Sequence, residues 1–419
     1  MSDDTTLPRR VFLGAGISEL AAASVSAGAD ASTKSIKFRL KETAGLRRFG
    51  YPVSVVLPPE LTGPNLRLER DGKAVASQFR VVKGLDGNER VVLDFNSSPG
   101  PLESESYVIH GGDEVQRGPE PSKGMSVVKE GNVFRVSNGS ALSYLVPQNL
   151  DKLVRSVVNS GTEYIGDLRT TSGLELYQNV ATPFAQTFGR NDQSQGVISR
   201  QGPIAVGLRF DNVVTLSGGK VIKSTVDMTF PNSKSWFEAT WTIDDPDGLV
   251  AILTFELSLA IGGPTAYVDF GMNHTVYGQI NGNERMFMGA GRAPIRPQGD
   301  ANRPWFVGKG PDNAMQPFAE ATSPNSRAEG WAHVMDRDRC TAIAVADFGR
   351  KTHDGLFVNA SGKVQFSREF VGVGVGAARD GFKGTKVLHF WSHFVPTPVQ
   401  VGAATSPQAM LAPLEVEWV

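Results

Sequence analysis

The chain has 419 residues and a net charge of −1, and hydrophobic residues make up 40% of it. This is the composition of an ordinary globular protein, and the near-neutral charge gives no reason to expect nucleic acid or an anionic membrane as a partner. The single cysteine, Cys340, excludes an intrachain disulfide. Cys340 lies in an apolar run and is predicted to be a small core residue.

Residues 1–31 have the pattern of a twin-arginine signal peptide. Arg9 and Arg10 precede an apolar pair, a stretch rich in Ala, Gly and Ser follows, and a small-residue cleavage site ends at Ala31. The stretch contains Glu19, so it lacks the run of about 20 apolar residues that a transmembrane helix needs. We therefore expect a periplasmic or secreted protein of bacterial type, exported in the folded state by the Tat translocase and without a membrane span.

Alternation of apolar and polar residues with a period of two recurs along the rest of the chain and predicts an all-β fold. A strand from Leu66 precedes the dipeptide Asp71-Gly72, which is typical of a tight hairpin turn. A second hairpin is predicted around Gly218-Gly219. The few helical signals predict one short helix over residues 149–159.

Two segments of the middle region show the two kinds of strand. In residues 237–243, apolar side chains alternate with Glu238, Thr240 and Thr242, which predicts a strand with one buried and one polar face. The nearly continuous apolar run 250–261 predicts a strand that is buried on both faces.

Turn-forming and charged residues interrupt this periodicity at 111–124. After the signal peptide we therefore expect two domains, a small N-terminal β-barrel over residues 35–115 and a large antiparallel β-sandwich over residues 124–410. Residues 289–330 form a second poorly periodic region. A loop of this length inside a compact domain is usually functional or disordered, and its aromatic residues favour order.

Two stretches together resemble a known family. The first is Gly45-Leu46-Arg47-Arg48-Phe49-Gly50-Tyr51-Pro52 with its flanks from Glu42 to Phe79, and the second is Gly330-Trp331-Ala332-His333 with the later Gly384 to Phe390. They are similar to the N-terminal β-barrel and central β-sandwich of the exo-acting rhamnogalacturonan lyases, over most of residues 36–395. The sandwich is also broadly similar to the supersandwich of galactose mutarotases. The C-terminal helical domain of the lyases has no counterpart in this resemblance, so no catalytic residue is carried over from it.

The resemblance implies a carbohydrate substrate that contains uronate. A polysaccharide lyase removes a proton α to a carboxylate, and it needs a base, a group that neutralises the carboxylate and an acid for the leaving oxygen. His or Tyr suits the proton transfers, and Arg binds both oxygens of a carboxylate. We therefore expect a polysaccharide lyase that acts by β-elimination. The alternatives are a non-catalytic carbohydrate-binding protein and a mutarotase-like scaffold.

The preferred site is a surface formed by two strands. In an extended strand His389, Trp391 and His393 point to one side, and so do Trp331 and His333. If the two strands are neighbours, the five side chains line one surface on which Trp stacks against a sugar ring and His transfers protons. The alternative is a structural face of the sandwich.

Further candidates lie in and before the poorly periodic region. His274 and Tyr277 are catalytic candidates, although a regular strand would direct them to opposite faces. Charge for a carboxylate and a flat ring for a pyranose are provided by the substrate-binding candidates Arg285, Arg292, Arg303 and Trp305. The alternative for these arginines is a solvated loop. The sequence predicts no metal site and identifies no cofactor, and the expected partner is a polysaccharide or oligosaccharide.

Overall fold

A computed structural model of the protein describes residues 34–61, 65–83, 87–166, 173–178, 188–189, 194–290, 304–311, 314–350, 352–370 and 383–419. The described residues are almost entirely β-structure, with antiparallel strand pairing and two short helices, which confirms the predicted all-β fold. Within this part of the chain we find no helix with the length and hydrophobicity that a membrane span requires. Arg292 and Arg303 lie outside the described residues, as does the predicted signal peptide over residues 1–31.

The strands and helices follow one another along the chain. The first seven strands are β1 (Lys34–Lys41), β2 (Tyr51–Val56), β3 (Leu66–Arg70), β4 (Lys73–Val75), β5 (Ser77–Lys83), β6 (Glu89–Ser97) and β7 (Ser104–Gly111). The next five are β8 (Ser126–Glu130), β9 (Val133–Asn138), β10 (Leu142–Pro147), β11 (Ser156–Asn159) and β12 (Thr162–Glu163). They are followed by β13 (Leu174–Gln178), β14 (Phe188–Gly189), β15 (Gln195–Arg200), β16 (Ala205–Thr215), β17 (Val221–Pro231), β18 (Trp236–Asp244), β19 (Val250–Ser258), β20 (Thr265–Gly271), β21 (Thr275–Asn281) and β22 (Glu284–Ala290). The last elements are β23 (Trp305–Pro311), β24 (Gln316–Glu320), β25 (Trp331–Met335), β26 (Arg339–Val345), β27 (His353–Asn359), β28 (Lys363–Glu369), β29 (Lys386–Pro396), α1 (Val401–Ala404), α2 (Ser406–Leu411) and β30 (Glu415–Trp418).

The N-terminal unit consists of two sheets that pack on each other. One has five strands in the order β30-β1-β7-β3-β4, and the other has three in the order β2-β6-β5. Phe38 of the first sheet contacts Phe95 of the second and stacks on Tyr107 with ring centroids 5.2 Å apart. In the described residues the strand pairing does not close into the predicted barrel, because β4 and β30 end one sheet and β2 and β5 end the other.

The large unit is a sandwich of a nine-stranded and an eight-stranded sheet. The nine-stranded sheet has the order β15-β16-β17-β18-β29-β26-β25-β20-β21, and the eight-stranded sheet has the order β14-β13-β19-β28-β27-β22-β23-β24. Phe255 of β19 stacks on Phe390 of β29 with ring centroids 4.3 Å apart, so the two sheets meet face to face. A third sheet, in the order β12-β11-β10-β9-β8, adds Tyr144 to this core against Phe230.

The local predictions can be compared with these elements. The two hairpins are confirmed, since Asp71-Gly72 and Gly218-Gly219 have the positive φ values that tight turns need. The buried strand predicted over 250–261 is β19. The short helix predicted over residues 149–159 is wrong, because β11 occupies its second half and pairs with β10, with Val157 buried between half-buried neighbours.

The C-terminal segment, residues 397–419, joins the two units. Helix α2 lies on the outer face of the nine-stranded sheet, where Met410 packs against Trp331 and Trp391. Leu414 then enters the core of the N-terminal unit, and β30 pairs with β1. Arg48 of the N-terminal unit fixes the end of α2, since its guanidinium donates to the carbonyl oxygens of Ala409 and Ala412 at 2.8 and 2.5 Å.

Candidate functional site

A cleft of about 430 Å³ lies between the N-terminal unit and the outer face of the nine-stranded sheet. The three-stranded sheet forms its roof, the outer faces of β17, β18 and β29 form its floor, and the C-terminal segment lines it as well. Its floor is polar because the strands alternate, with apolar side chains directed into the sandwich core and polar ones directed outward. The charged and aromatic side chains that line it are Tyr51, Arg80, Asp94, Arg200, Asp227, Glu238 and Trp391.

Two arginines share one carboxylate of the roof. Arg80 belongs to β5 of the roof itself, whereas Arg200 belongs to β15 of the nine-stranded sheet, and we call Arg80, Arg200 and Asp94 the roof group. Asp94 is fully buried, and its Oδ2 accepts a hydrogen bond from Arg80 Nε at 2.9 Å and pairs with Arg200 at 2.7 Å. Ser54 donates a further hydrogen bond to Oδ1 of Asp94. Two guanidinium groups against one carboxylate leave one net positive charge in the roof group. Because Asp227 and Glu238 line the same cleft, an anionic group would have to bind directly at the guanidinium groups.

Arg200 is the most constrained member of this group. Its Nε is buried and has no hydrogen-bond partner among the described residues. Burial lowers the pKa of Arg200, against the opposing effect of Asp94 and of Glu238 on the floor. Since a buried donor without a partner is costly, an acceptor supplied by a ligand would relieve this cost.

The floor carries two carboxylates on neighbouring strands. Glu238 of β18 accepts from His389 of β29 at 2.5 Å, and its side chain stays partly exposed while the imidazole is buried. Asp227 of β17 lies beside Arg209 at 3.7 Å. Burial raises the pKa of Asp227, and Arg209 opposes this effect. The floor can therefore accept hydrogen bonds from hydroxyl groups and exchange protons with a ligand.

The structure places the five side chains of the predicted surface on one face, although the two strands that carry them are not adjacent. Strand β26 lies between β25 and β29, so the two strands are not neighbours. The register sets Ala344 between Trp331 and Trp391, and Ala342 between His333 and His393. Paired residues of adjacent strands point to the same side, so the intervening strand keeps the face common to both.

Helix α2 covers most of this face. His393 is buried and pairs through Nδ1 with Ser406 of α2 at 2.8 Å, while His333 pairs through Nδ1 with Asp269 at 2.8 Å. The indole of Trp331 lies over Gly271, where an added Cβ would come within 2.0 Å of it. All five side chains are buried. Of the five, Trp391 alone lines the cleft, and His389 contacts it through Glu238.

The burial of His393 makes a pH-dependent prediction. Burial, with Lys234 and His333 nearby, lowers the pKa of His393 from 6.5 to about 3. Between these pH values the unfolded chain binds a proton that the folded protein does not, so stability falls as the pH decreases. Relative to His393→Gln, we expect the wild-type free energy of unfolding to fall by about 1.4 kcal/mol per pH unit below pH 6.5. Urea unfolding of both proteins across this range measures the difference, and parallel profiles would contradict the prediction.

The remaining candidates are dispersed. His274 lies in the turn before β21 with its ring 5.8 Å from that of Trp305, whereas Tyr277 is on the outer face of β21. Trp305 is buried in the sandwich core and donates to Ser326 at 2.7 Å, so its ring is not the open platform that we expected. Arg285 belongs to the eight-stranded sheet, where it lies over the ring of Phe357. The structure does not bring these four residues to the cleft.

Sequence reasoning missed most of the cleft. It assigned Glu238 to a polar face without a role and did not single out Arg80, Asp94, Arg200 or Asp227. One local signal was available, because Asp94 is a charged residue between the buried Leu93 and Phe95 and directly follows the apolar run 91–93 of β6. Among the described residues, no group of three or more His, Cys, Asp and Glu side chains is arranged to hold a metal ion.

No protein-family model matches the sequence, and no curated protein matches it significantly. The fold is similar to two solved structures from Enterococcus faecalis. One is a protein in glycosyl hydrolase family 38 (TM-score 0.58, 10% identity, 92% of this chain and 47% of that chain). The other is an alpha-mannosidase (TM-score 0.57, 11% identity, 92% of this chain and 46% of that chain).

A third similar structure is a putative aldose 1-epimerase from Klebsiella pneumoniae, with a TM-score of 0.35, 8% identity and coverage of 70% of this chain and 89% of that chain. This TM-score does not establish a shared fold. The chain spans about half the length of the two Enterococcus chains. None of the three is a rhamnogalacturonan lyase, and at this level of identity the two Enterococcus structures show the β-sandwich fold alone.

Proposed function

We propose that the protein binds an acidic, uronate-containing polysaccharide in the cleft. The observation that carries this proposal is the roof group, in which Arg80 and Arg200 share the carboxylate of Asp94 and Arg200 Nε is buried without a partner. A uronate carboxylate is an acceptor that fits this group, because guanidinium binds carboxylate through paired hydrogen bonds. The floor carboxylates are suited to sugar hydroxyls, and the half-buried ring of Tyr51 is suited to the face of a sugar ring.

We further propose that the cleft catalyses β-elimination. A base removes the proton from the carbon α to the uronate carboxylate, the bond from the neighbouring carbon to the glycosidic oxygen breaks, a carbon–carbon double bond forms, and the leaving oxygen takes up a proton. Arg80 and Arg200 would stabilise the charge that develops on the carboxylate. Glu238, held by His389, is the group of the floor that can exchange the proton.

We also propose that the protein is exported to the periplasm or the medium through the twin-arginine signal peptide, because a protein that binds polymeric sugars meets its ligand outside the cytoplasm. A non-catalytic carbohydrate-binding protein is the second candidate, and the same cleft favours it. The two candidates differ only in turnover, so one assay with wild-type protein separates them. Incubation with rhamnogalacturonan, ulvan or alginate should raise the ultraviolet absorbance of an unsaturated uronate if the protein is a lyase. Binding without this rise would support the second candidate.

We expect Arg80→Ala to weaken binding of a uronate-containing oligosaccharide. A hydrogen bond to a charged group is worth about 1.5–3 kcal/mol, so the dissociation constant should rise about ten- to hundredfold, as isothermal titration calorimetry can measure. Arg80 is suited to the test because Arg200 still pairs with Asp94 in the variant and the roof should stay folded.

Arg135→Ala is the matched control, since Arg135 forms a surface ion pair with Glu130 away from the cleft. It removes the same charge and should leave binding unchanged.

Glu238→Gln should abolish the absorbance rise while oligosaccharide binding is largely retained. If Arg80→Ala and the wild type bound the oligosaccharide with equal affinity, the roof group would not be the binding site for the uronate.

A further inference from the structure

A second polar and aromatic surface lies at the far edge of the nine-stranded sheet. Strands β20 and β21 form a hairpin whose outer face presents Tyr267 and Tyr277, with 50% and 78% of their surface exposed. They are the two most exposed aromatic side chains among the described residues. Neither forms a hydrogen bond or a ring contact with another described residue. The two rings lie on adjacent strands of one face, and exposed apolar side chains that cluster in this way mark interaction sites.

The rest of this face is polar and almost without charge. The outward-facing partners in the hairpin are Thr265, Thr275, Gln279 and Asn281. Asn281 accepts hydrogen bonds from Thr265 and Gln279 at 2.6 and 3.1 Å, which holds the amide groups in place. The charged side chain on this face of the two strands is Asp269, and it is paired with His333.

The spacing of the two rings fits a chain of sugars. Tyr277 pairs with Asp269, so Tyr267 lies two residues along the neighbouring strand, and such diagonal positions are about 7–8 Å apart. Aromatic faces bind pyranose rings, and uncharged hydroxyl and amide groups bind their hydroxyls. Asp269, the charged side chain of this face, is negative and 20% exposed, which favours a neutral sugar over a uronate.

We propose that the outer face of the β20–β21 hairpin is a secondary carbohydrate-binding strip, which takes neutral sugar units of the same polymer that enters the cleft. This proposal rests on the proposed function. The strip and the cleft lie on the same side of the nine-stranded sheet, and β21 is four strands from β29. Four strand spacings amount to about 19 Å, and helix α2 lies on the sheet between the two surfaces. A polymer that passes over α2 can therefore bind both surfaces and gain affinity through the second.

The test compares polymer and oligosaccharide binding in Tyr267→Ala, Tyr277→Ala and the double variant. Affinity electrophoresis in gels that contain rhamnogalacturonan should show about tenfold weaker retention of the double variant, because loss of the second surface removes the avidity. Alginate, which consists of uronates alone, should show a smaller difference. Calorimetry with a short uronate-containing oligosaccharide should give the wild-type affinity, because that ligand occupies the cleft.

Phe49→Ala is the matched control, since Phe49 is an aromatic residue with 47% exposure that belongs neither to β20 or β21 nor to the cleft lining. It should be retained like the wild type. Equal retention of the double variant and the wild type would overturn the strip while leaving the cleft proposal intact. A lack of any sugar binding by the wild type would instead overturn the proposed function and the strip with it. Light scattering measures the oligomeric state of both proteins. A dimeric wild type and a monomeric double variant would show that the two rings bind a second copy of this chain, and this would overturn the strip.

Discussion

Arg48→Ala is expected to lower the free energy of unfolding by about 3–5 kcal/mol, the typical loss when one partner of a buried ion pair is removed. The side chains of Arg48 and Glu42 are 1% and 0% exposed and pair at 2.8 Å. In the variant, Glu42 would remain buried without a counter-ion. The carbonyl oxygens of Ala409 and Ala412 would also lose their donor at the end of α2. Urea unfolding measures this loss.

Lys41→Ala is a matched control for this experiment. The Lys41–Glu417 pair also connects the N-terminal unit to the C-terminal segment, at 2.9 Å, but both side chains are substantially exposed. Exposed pairs contribute little, so this variant should unfold like the wild type. If the two variants were equally stable, Arg48 would not hold α2 in place.

Loss of the Arg48–Glu42 pair should also make the free energy of unfolding of Arg48→Ala less dependent on acid pH than that of the wild type. Burial disfavours the ionised form of Glu42, but hydrogen bonds from Arg48 and from three backbone amides outweigh it and lower the pKa of Glu42 below 4.5. A lowered carboxyl pKa stabilises the folded state above pH 4.5, and this stabilisation is lost as the pH falls through the folded-state pKa. The variant should lose part of this dependence.

Asp94→Ala should be the second strongly destabilising substitution, with an expected loss of about 3–5 kcal/mol in the free energy of unfolding. Asp94 is fully buried between Arg80 and Arg200, so its removal leaves two guanidinium groups close together without a counter-ion. The space vacated by the carboxyl group would then be a site for a small carboxylate. Acetate should therefore raise the melting temperature of this variant more than chloride does at equal ionic strength.

Asp94→Asn is the control for this rescue. It keeps the shape of the side chain and fills the space, so acetate should have no greater effect than chloride. Wild-type protein should behave in the same way. A melting temperature of Asp94→Ala that acetate does not raise would show that the roof group does not bind a free carboxylate, and this would count against a uronate ligand.

The elements of this fold could largely be predicted because they depend on neighbours in sequence. Alternation places Phe237 in the core and Glu238 outside it, and Asp71-Gly72 provides a turn that needs no distant partner. The helix predicted over residues 149–159 failed because pairing with β10 outweighs a weak local preference.

The candidate site could not be predicted in the same way, because its parts come from distant segments. Asp94 and Arg200 are 106 positions apart by their numbers in the chain, and only the packing of the N-terminal unit on the nine-stranded sheet brings them together. The shared face of Trp331 and Trp391 followed from periodicity, but its cover did not. Helix α2 has only six residues, which is too short for its sequence to indicate that it packs on that face.

The pairing of β1 with β30 has a consequence for biosynthesis. The five-stranded sheet of the N-terminal unit contains the first described strand of the chain and the last. A ribosome that has made the first hundred residues has therefore not yet made the strand that completes this sheet, and Leu414 of its core is also missing. We expect the N-terminal unit to reach its final structure only after β30 has been synthesised. Truncation before Glu415 should leave an open sheet edge at β1, and such edges favour aggregation.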